Sequence, residues 1–312
     1  MSPRSIERPD LADLIAPDAP NWFKRAVAAP FEDRFVVSDG ATIHYLAWGE
    51  AGRRGLVFVH GGGAHAHWWT ALAARFADTY RVAALDLSGH GDSDFRDDGY
   101  TMERFAAEVM AVAGDAGMDG PPVVVGHSMG GFVTTVTAAL HSDALAGVVV
   151  CDSPITEPDP EVGSHRSRRA FGKPRTYSTR DDALAHFHPE PRQRYELPYM
   201  LQYLGPLSLR RVEGGWSWKF DHRIFEGFAA GTRGLALPYL ADVRCRYALF
   251  RSQYGLVTPD IGAAMYEQLG RVAPVVELPQ TGHHAMLDEP LVLLTALRTL
   301  LADWDHSTPQ RR

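Results

Sequence analysis

The sequence predicts an α/β protein: a mostly parallel sheet covered by helices on both faces. Apolar segments such as Leu56–Val59, Val123–Val125 and Leu145–Cys151 run continuously instead of alternating with polar residues. That is how strands buried on both faces read. These segments alternate with helical patterns, as a sheet wrapped in crossover helices requires. The residues able to do chemistry, Gly61–Gly63, Ser128, Asp152 and His283, all fall just past the ends of predicted strands. Sheets of this kind place their sites there.

Residues 1–30 carry Pro3, Pro9, Pro17, Pro20 and Pro30 and no apolar signal region. They read as an N-terminal arm, with Trp22 and Phe23 packing onto the body. Phe35–Val37 and Thr42–Trp48 flank Asp39-Gly40, a hairpin with a D-G turn. The strand Leu56–Val59 runs into His60-Gly61-Gly62-Gly63, and a helix is expected from Trp68 to Ala77. Arg81–Leu87 is the next strand, followed by a helix from Thr101, its N-cap, to Ala116. Pro122–Val125 is a strand that turns through Gly126-His127-Ser128-Met129-Gly130 into a helix reaching Leu140. Leu145–Cys151 is a strand that ends at Asp152.

At residue 154 the alternation breaks. Residues 154–240 are rich in proline, arginine and aromatics, and hold 13 Lys+Arg against 10 Asp+Glu in a chain of net charge -7. They show no buried β-run and read as a mostly helical lid inserted into a core of residues 31–153 and 241–312. The rhythm returns with the strand Arg246–Phe250, a helix Pro259–Leu269, the strand Val275–Leu278 and a helix from Glu289 to Trp304.

Bulk properties exclude several classes. The chain has 312 residues, is 45% hydrophobic and 22% charged, and is acidic overall, which disfavours a nucleic-acid partner. No apolar run approaches the roughly 18 residues of a membrane span. The two cysteines, Cys151 and Cys245, fall at opposite ends of adjacent predicted strands. A separation of about 15 Å follows from strand geometry, too far for a disulfide. Free thiols and the lack of a signal region point to the cytoplasm. The oligomeric state stays open, a homodimer included.

Gly126-His127-Ser128-Met129-Gly130 fits the G-x-S-x-G pattern that lifts a serine above the sheet on a sharp strand-to-helix turn. A bare glycine-rich turn is the plain alternative. Ser128 needs a base, because its hydroxyl is barely ionised at neutral pH. Of 14 histidines, His283 follows the last strand behind Gly282, where the order Ser…Asp…His puts the base; His284 is its competitor. His127 reads as a packing or hydrogen-bonding residue, and His60 as a residue that holds the glycine loop. No metal or cofactor motif is expected: the cysteines are isolated, H-E-x-x-H is absent, and Gly61–Gly63 lacks dinucleotide spacing. His65 and His67 could pair on a metal, or line the pocket, or face solvent.

Together, His60-Gly61-Gly62-Gly63, Asp86…Gly89-His90-Gly91-Asp92-Ser93, Gly126–Gly131 and Gly282-His283 resemble the α/β-hydrolase superfamily. The resemblance covers roughly residues 31–153 and 241–305. It implies a sheet of about eight strands and an oxyanion hole made by the N–H groups of Gly62 and Met129. Many members carry the triad acid after the strand that here ends at Phe250, but residues 251–259 contain no Asp or Glu. Asp152, 24 residues beyond Ser128, resembles the alternative acid position of haloalkane dehalogenases and some lactonases. A loop or N-cap residue is the plain reading of Asp152, and Asp260 is the other acid available. The resemblance implies a serine hydrolase of small apolar esters or lactones, working through an acyl-enzyme. Carbon–carbon bond hydrolases often carry tryptophan after the histidine, where His284 stands here. Perhydrolases, cofactor-free oxygenases and acyltransferases share the same residues. A ligand receptor without catalysis is a separate class, which a fluorophosphonate label on Ser128 would discriminate. Trp216 and Trp218, with Phe220, Phe225 and Phe228, are expected to line the substrate side of the lid or to form its core.

Overall fold

The computed structural model describes residues 8–156, 172, 175–227 and 236–307. Phe228 and the remaining parts of the predicted arm, lid and C-terminus lie outside them. The strands are β1 (Glu32–Ser38), β2 (Ala41–Trp48), β3 (Arg54–Val59), β4 (Arg81–Leu85), β5 (Asp119–His127), β6 (Gly147–Cys151), β7 (Leu209–Val212), β8 (Gly215–Trp218), β9 (Arg246–Tyr254) and β10 (Val275–Gly282). Eight of them form one sheet in the order β1-β2-β4-β3-β5-β6-β9-β10. Strand β2 runs antiparallel to β1 and β4, and the other pairings are parallel. The β1–β2 hairpin closes through Asp39 (φ 45°) and Gly40 (φ 75°), both left-handed as a tight hairpin turn requires.

The helices are α1 (Asn21–Val27), α2 (Thr70–Ala73), α3 (Met102–Asp115), α4 (Met129–His141), α5 (Arg180–Ala185), α6 (Pro198–Leu207), α7 (Arg223–Gly227), α8 (Pro259–Gln268), α9 (Ala285–Asp288) and α10 (Pro290–His306). Thr101 caps α3, its side chain accepting the Arg104 N–H. The helix expected over Trp68–Ala77 is shorter: a 3-10 turn, Ala66–Trp69, runs into the single turn of α2. There Trp69 and Phe76 close on Phe58 with ring centroids 4.8 and 6.1 Å away. Beyond α2, backbone bonds of the i→i+3 type replace the helical ladder.

Continuous apolar strands are buried on both faces because successive side chains alternate between two cores. Val124, Val148 and Val150 join one with Phe105 and Val109 of α3 and Val133 and Val136 of α4. Val125 and Val149 join the other with Phe58, Trp69, and Leu293, Leu297 and Leu301 of α10. Each such fully buried side chain contributes about 1.5–3 kcal/mol. Phe23 of the N-terminal segment is fully buried, its ring 4.9 Å from Tyr199 and 5.8 Å from Tyr203 on α6.

Between β6 and β9 the described residues hold short helices and one small second sheet. Helices α5, α6 and α7 are joined by a two-stranded hairpin, β7–β8. Its four-residue strands are too short to read as a buried run. The segment after β8 pairs with the main body through the Gly91 N–H to Lys219 O and Asp221 N–H to Gly89 O bonds, each 2.8 Å. Among the described residues, no helix is long and apolar enough to cross a membrane. Cys151 and Cys245 are free.

Candidate active site

Ser128 joins β5 to α4 with φ 54° and ψ −121°, a backbone conformation costly for any residue with a Cβ. Close approach on either side explains its glycine neighbours. A Cβ on Gly126 would lie 2.2 Å from the Gly130 carbonyl oxygen, and one on Gly130 would lie 2.4 Å from that of His60. Strand, elbow and glycine loop are therefore pressed together, and Ser128 stays partly accessible. Met129 is the first residue of α4, so its N–H has no acceptor inside the helix.

Ser128, His283 and Asp152 stand in hydrogen-bond series. The Ser128 hydroxyl donates to His283 Nε2 at 3.0 Å, and His283 Nδ1–H donates to Asp152 Oδ2 at 2.7 Å. An ionised carboxylate only accepts, which fixes the Nδ1–H tautomer. Asp152 directly follows β6, is 1% exposed and has φ 47°. The loop after β9, devoid of acids, is its cradle. Leu256 N–H donates to Oδ2 at 2.7 Å, while Val257 and Ser252 N–H donate to Oδ1 at 3.1 and 3.3 Å. A Cβ on Gly255 would meet the carboxylate at 2.3 Å. Burial alone would raise the Asp152 pKa; the bond to His283 and the backbone donors outweigh it and hold the carboxyl below its usual range. Asp260 sits exposed in the first turn of α8, accepting from the Thr258 hydroxyl at 2.6 Å, and does not reach His283.

The neighbouring histidines are structural donors and acceptors. His127 Nε2–H donates to the His283 carbonyl at 2.8 Å. His60 Nδ1–H donates to Gly61 O at 2.7 Å, and its Nε2 accepts the Leu87 N–H at 3.1 Å, so it pins the glycine loop. Burial pushes His127 down to about 3 and holds His60 and His284 below the usual range. His284 packs against Trp68, ring centroids 5.4 Å apart. Gly62 lies under the Phe225 ring: a Cβ there would be 2.8 Å from Cε1 and 3.7 Å from Met129 Sδ.

A model of the alpha/beta hydrolase family matches residues 56–296. The chain belongs to that family. Esterase Rv0045c of Mycobacterium tuberculosis is 26% identical over 296 residues, covering 93% of this chain and 96% of that protein. A solved alpha/beta hydrolase from Novosphingobium aromaticivorans superimposes with a TM-score of 0.70 at 26% identity, over 88% of this chain and 99% of that one. E-2-(Acetamidomethylene)succinate hydrolase superimposes with a TM-score of 0.75 over 88% of this chain and 100% of its own; at 22% identity it shows the shared fold alone.

Two alternatives that the sequence leaves open in this alpha/beta hydrolase concern Trp216 and Trp218, and His65 and His67. Trp216 and Trp218 pack in a small cluster with Tyr177, Ala183 and Leu209. Phe225 of α7 reaches the glycine loop. The rings of His65 and His67 stand edge to face, centroids 6.0 Å apart, and each bonds to a different hydroxyl. His65 Nε2 bonds to Ser208 Oγ at 2.9 Å, and His67 Nδ1 lies 3.2 Å from Thr70 Oγ1. Among the described residues two groups bring three ligand-type side chains within 4.8 Å: His127, His283 and His284, and His44, Asp86 and Asp92. Both nitrogens of His283 and of His44 are already engaged, the latter with Asp86 at 2.7 Å and Asp33 at 3.1 Å. Hydrogen bonding thus occupies the ring nitrogens of His283 and His44 in these groups.

The residue patterns did not single out Gln193 and Asp288, which hold the backbone around His283. Nor did they show the Asp152 cradle, because backbone N–H groups leave no trace in residue type.

Proposed function

We propose that this chain is a serine hydrolase that cleaves a carboxylic ester or lactone through an acyl-enzyme. The observation that carries the reading is the unbroken series from Ser128 Oγ through His283 to the cradled Asp152. The full-length similarity to a protein named as an esterase adds the bond type.

In the first half-reaction Ser128 Oγ attacks the substrate carbonyl carbon as its proton passes to His283 Nε2. The imidazolium is stabilised through Nδ1–H by Asp152. Negative charge gathers on the former carbonyl oxygen, for which the N–H groups of Gly62 and Met129 are the donors, aided by the positive end of α4. Collapse breaks the bond to the leaving alkoxide, which takes the proton from His283. Water then attacks the acyl carbon with His283 as base, and the acid and free Ser128 are released.

Residues 154–240 are the lid in this reading, and 1–30 the arm that steadies it. Support comes from the docking of Phe225 on the glycine loop and of Phe23 on α6. An apolar acyl group suits the Phe225 and Met129 surroundings. The test is a panel of aryl esters and lactones of graded size. Turnover of at least one class should fall on the order of 10⁴-fold in Ser128→Ala, whereas equal rates in both proteins would exclude the reading.

A further inference from the structure

The insertion grips the loop that carries His283. Gln193 Oε1 accepts the His284 N–H at 2.8 Å, while its Nε2 donates to Tyr195 O at 3.0 Å. A Cβ on Gly282 would lie 2.8 Å from Gln193 Oε1, so glycine at that position is what lets the amide reach the loop. Further along, Leu197 N–H donates to Leu287 O at 2.8 Å. On the core side, Asp288 accepts the Gly282 N–H, and His127 donates to the His283 carbonyl.

These contacts converge on one peptide unit. The bond from His283 to His284 is held at its C=O by His127 and at its N–H by Gln193. Its plane sets the His283 ψ angle and so helps direct the ring that must place Nε2 within reach of Ser128 Oγ. Of the two clamps, His127 belongs to the elbow itself, whereas Gln193 comes from the insertion.

We infer that Gln193 is a positioning residue for the histidine base, and that through it the insertion sets the rate of acyl transfer as well as covering the site. The inference rests on the hydrolase reading above. Gln193 is only half-buried, and Leu197 and Asp288 anchor the same loop independently, so the contact adds little to the fold. Its effect is on geometry, and a displacement of about 1 Å at a reacting group costs up to roughly 100-fold in rate.

The test compares wild type with Gln193→Leu and Gln193→Glu on one aryl ester, with a fluorophosphonate to label Ser128. Gln193→Leu removes the acceptor. It should lower kcat roughly 10- to 100-fold, with KM little changed and Tm within about 4 °C of wild type. Labelling of Ser128 should slow in parallel. Gln193→Glu keeps an oxygen for the His284 N–H and should recover most of the lost kcat. An unchanged kcat in Gln193→Leu, a loss confined to KM, or a loss that Gln193→Glu does not repair would overturn the inference. A wild-type protein that neither turns over nor labels would instead overturn the hydrolase reading, and this inference with it.

Discussion

Replacing Asp152 by Asn changes one atom and no volume, yet the cradle makes the change severe. The carboxylate accepts four hydrogen bonds, from His283 Nδ1 and Leu256 N at 2.7 Å, Val257 N at 3.1 Å and Ser252 N at 3.3 Å. Every partner is a donor, so an amide NH₂ meets a donor whichever way it turns. With oxygen toward His283, the NH₂ opposes Ser252 and Val257. Turned over, it faces His283 and favours the wrong tautomer. The expected loss in kcat is roughly 10³- to 10⁴-fold, equivalent to about 4–5.5 kcal/mol of barrier. Buried donors left unpaired should cost a further 1–3 kcal/mol, roughly, of folding stability. Steady-state kinetics on an aryl ester and urea unfolding read the two effects separately. Asp260→Asn is the control and should cost less than about tenfold. A kcat for Asp152→Asn within tenfold of wild type would refute the assignment of the acid, whatever the stability did.

The cradle has its own test. Gly255→Ala inserts a methyl 2.3 Å from the Asp152 carboxylate and should reduce kcat at least tenfold, roughly; parental activity would show that the loop yields without moving the acid. The buried His44, gripped by Asp33 and Asp86, has its pKa raised to about 9: burial opposes the charge, and the bonds to the two carboxylates overcome it. A raised folded-state value stabilises fully below the unfolded pKa of about 6.5, and that contribution is lost as pH rises through about 9. Urea midpoints should thus fall between pH 7 and 10 in wild type and less in His44→Gln, and equal slopes would refute the charged imidazole. Phe225→Ala uncovers Gly62 and should raise kcat/KM for a hexanoyl relative to an acetyl aryl ester by roughly tenfold. An unchanged ratio would place the acyl group elsewhere.

Ser128 and His283 were legible because they lie where a change of periodicity is visible: a run of valines turning into a helix, and a glycine-histidine step after the last strand. Asp152 was expected from the resemblance to family members that carry the acid in its position, residues 251–259 lacking a carboxylate. Why that loop can do without one was not legible, because it contributes backbone N–H groups whose direction depends on folding. Trp216 and Trp218 show the limit of composition. An aromatic in an insertion can serve its core or its pocket, and only packing against Tyr177 and Leu209 decides. Gln193 meets His284 across 91 residues with no motif to announce it. The β7–β8 hairpin escaped because its two strands span four residues each.

The central claim is that Ser128 becomes acylated on its Oγ with His283 as base. Intact-mass and peptide spectra after a fluorophosphonate, run on wild type, Ser128→Ala and His283→Ala, measure it most directly. One adduct per chain, on the peptide carrying Ser128, absent from Ser128→Ala and slowed at least about 10³-fold in His283→Ala, is the result predicted. An adduct that persists in Ser128→Ala, or forms as fast without His283, would contradict it.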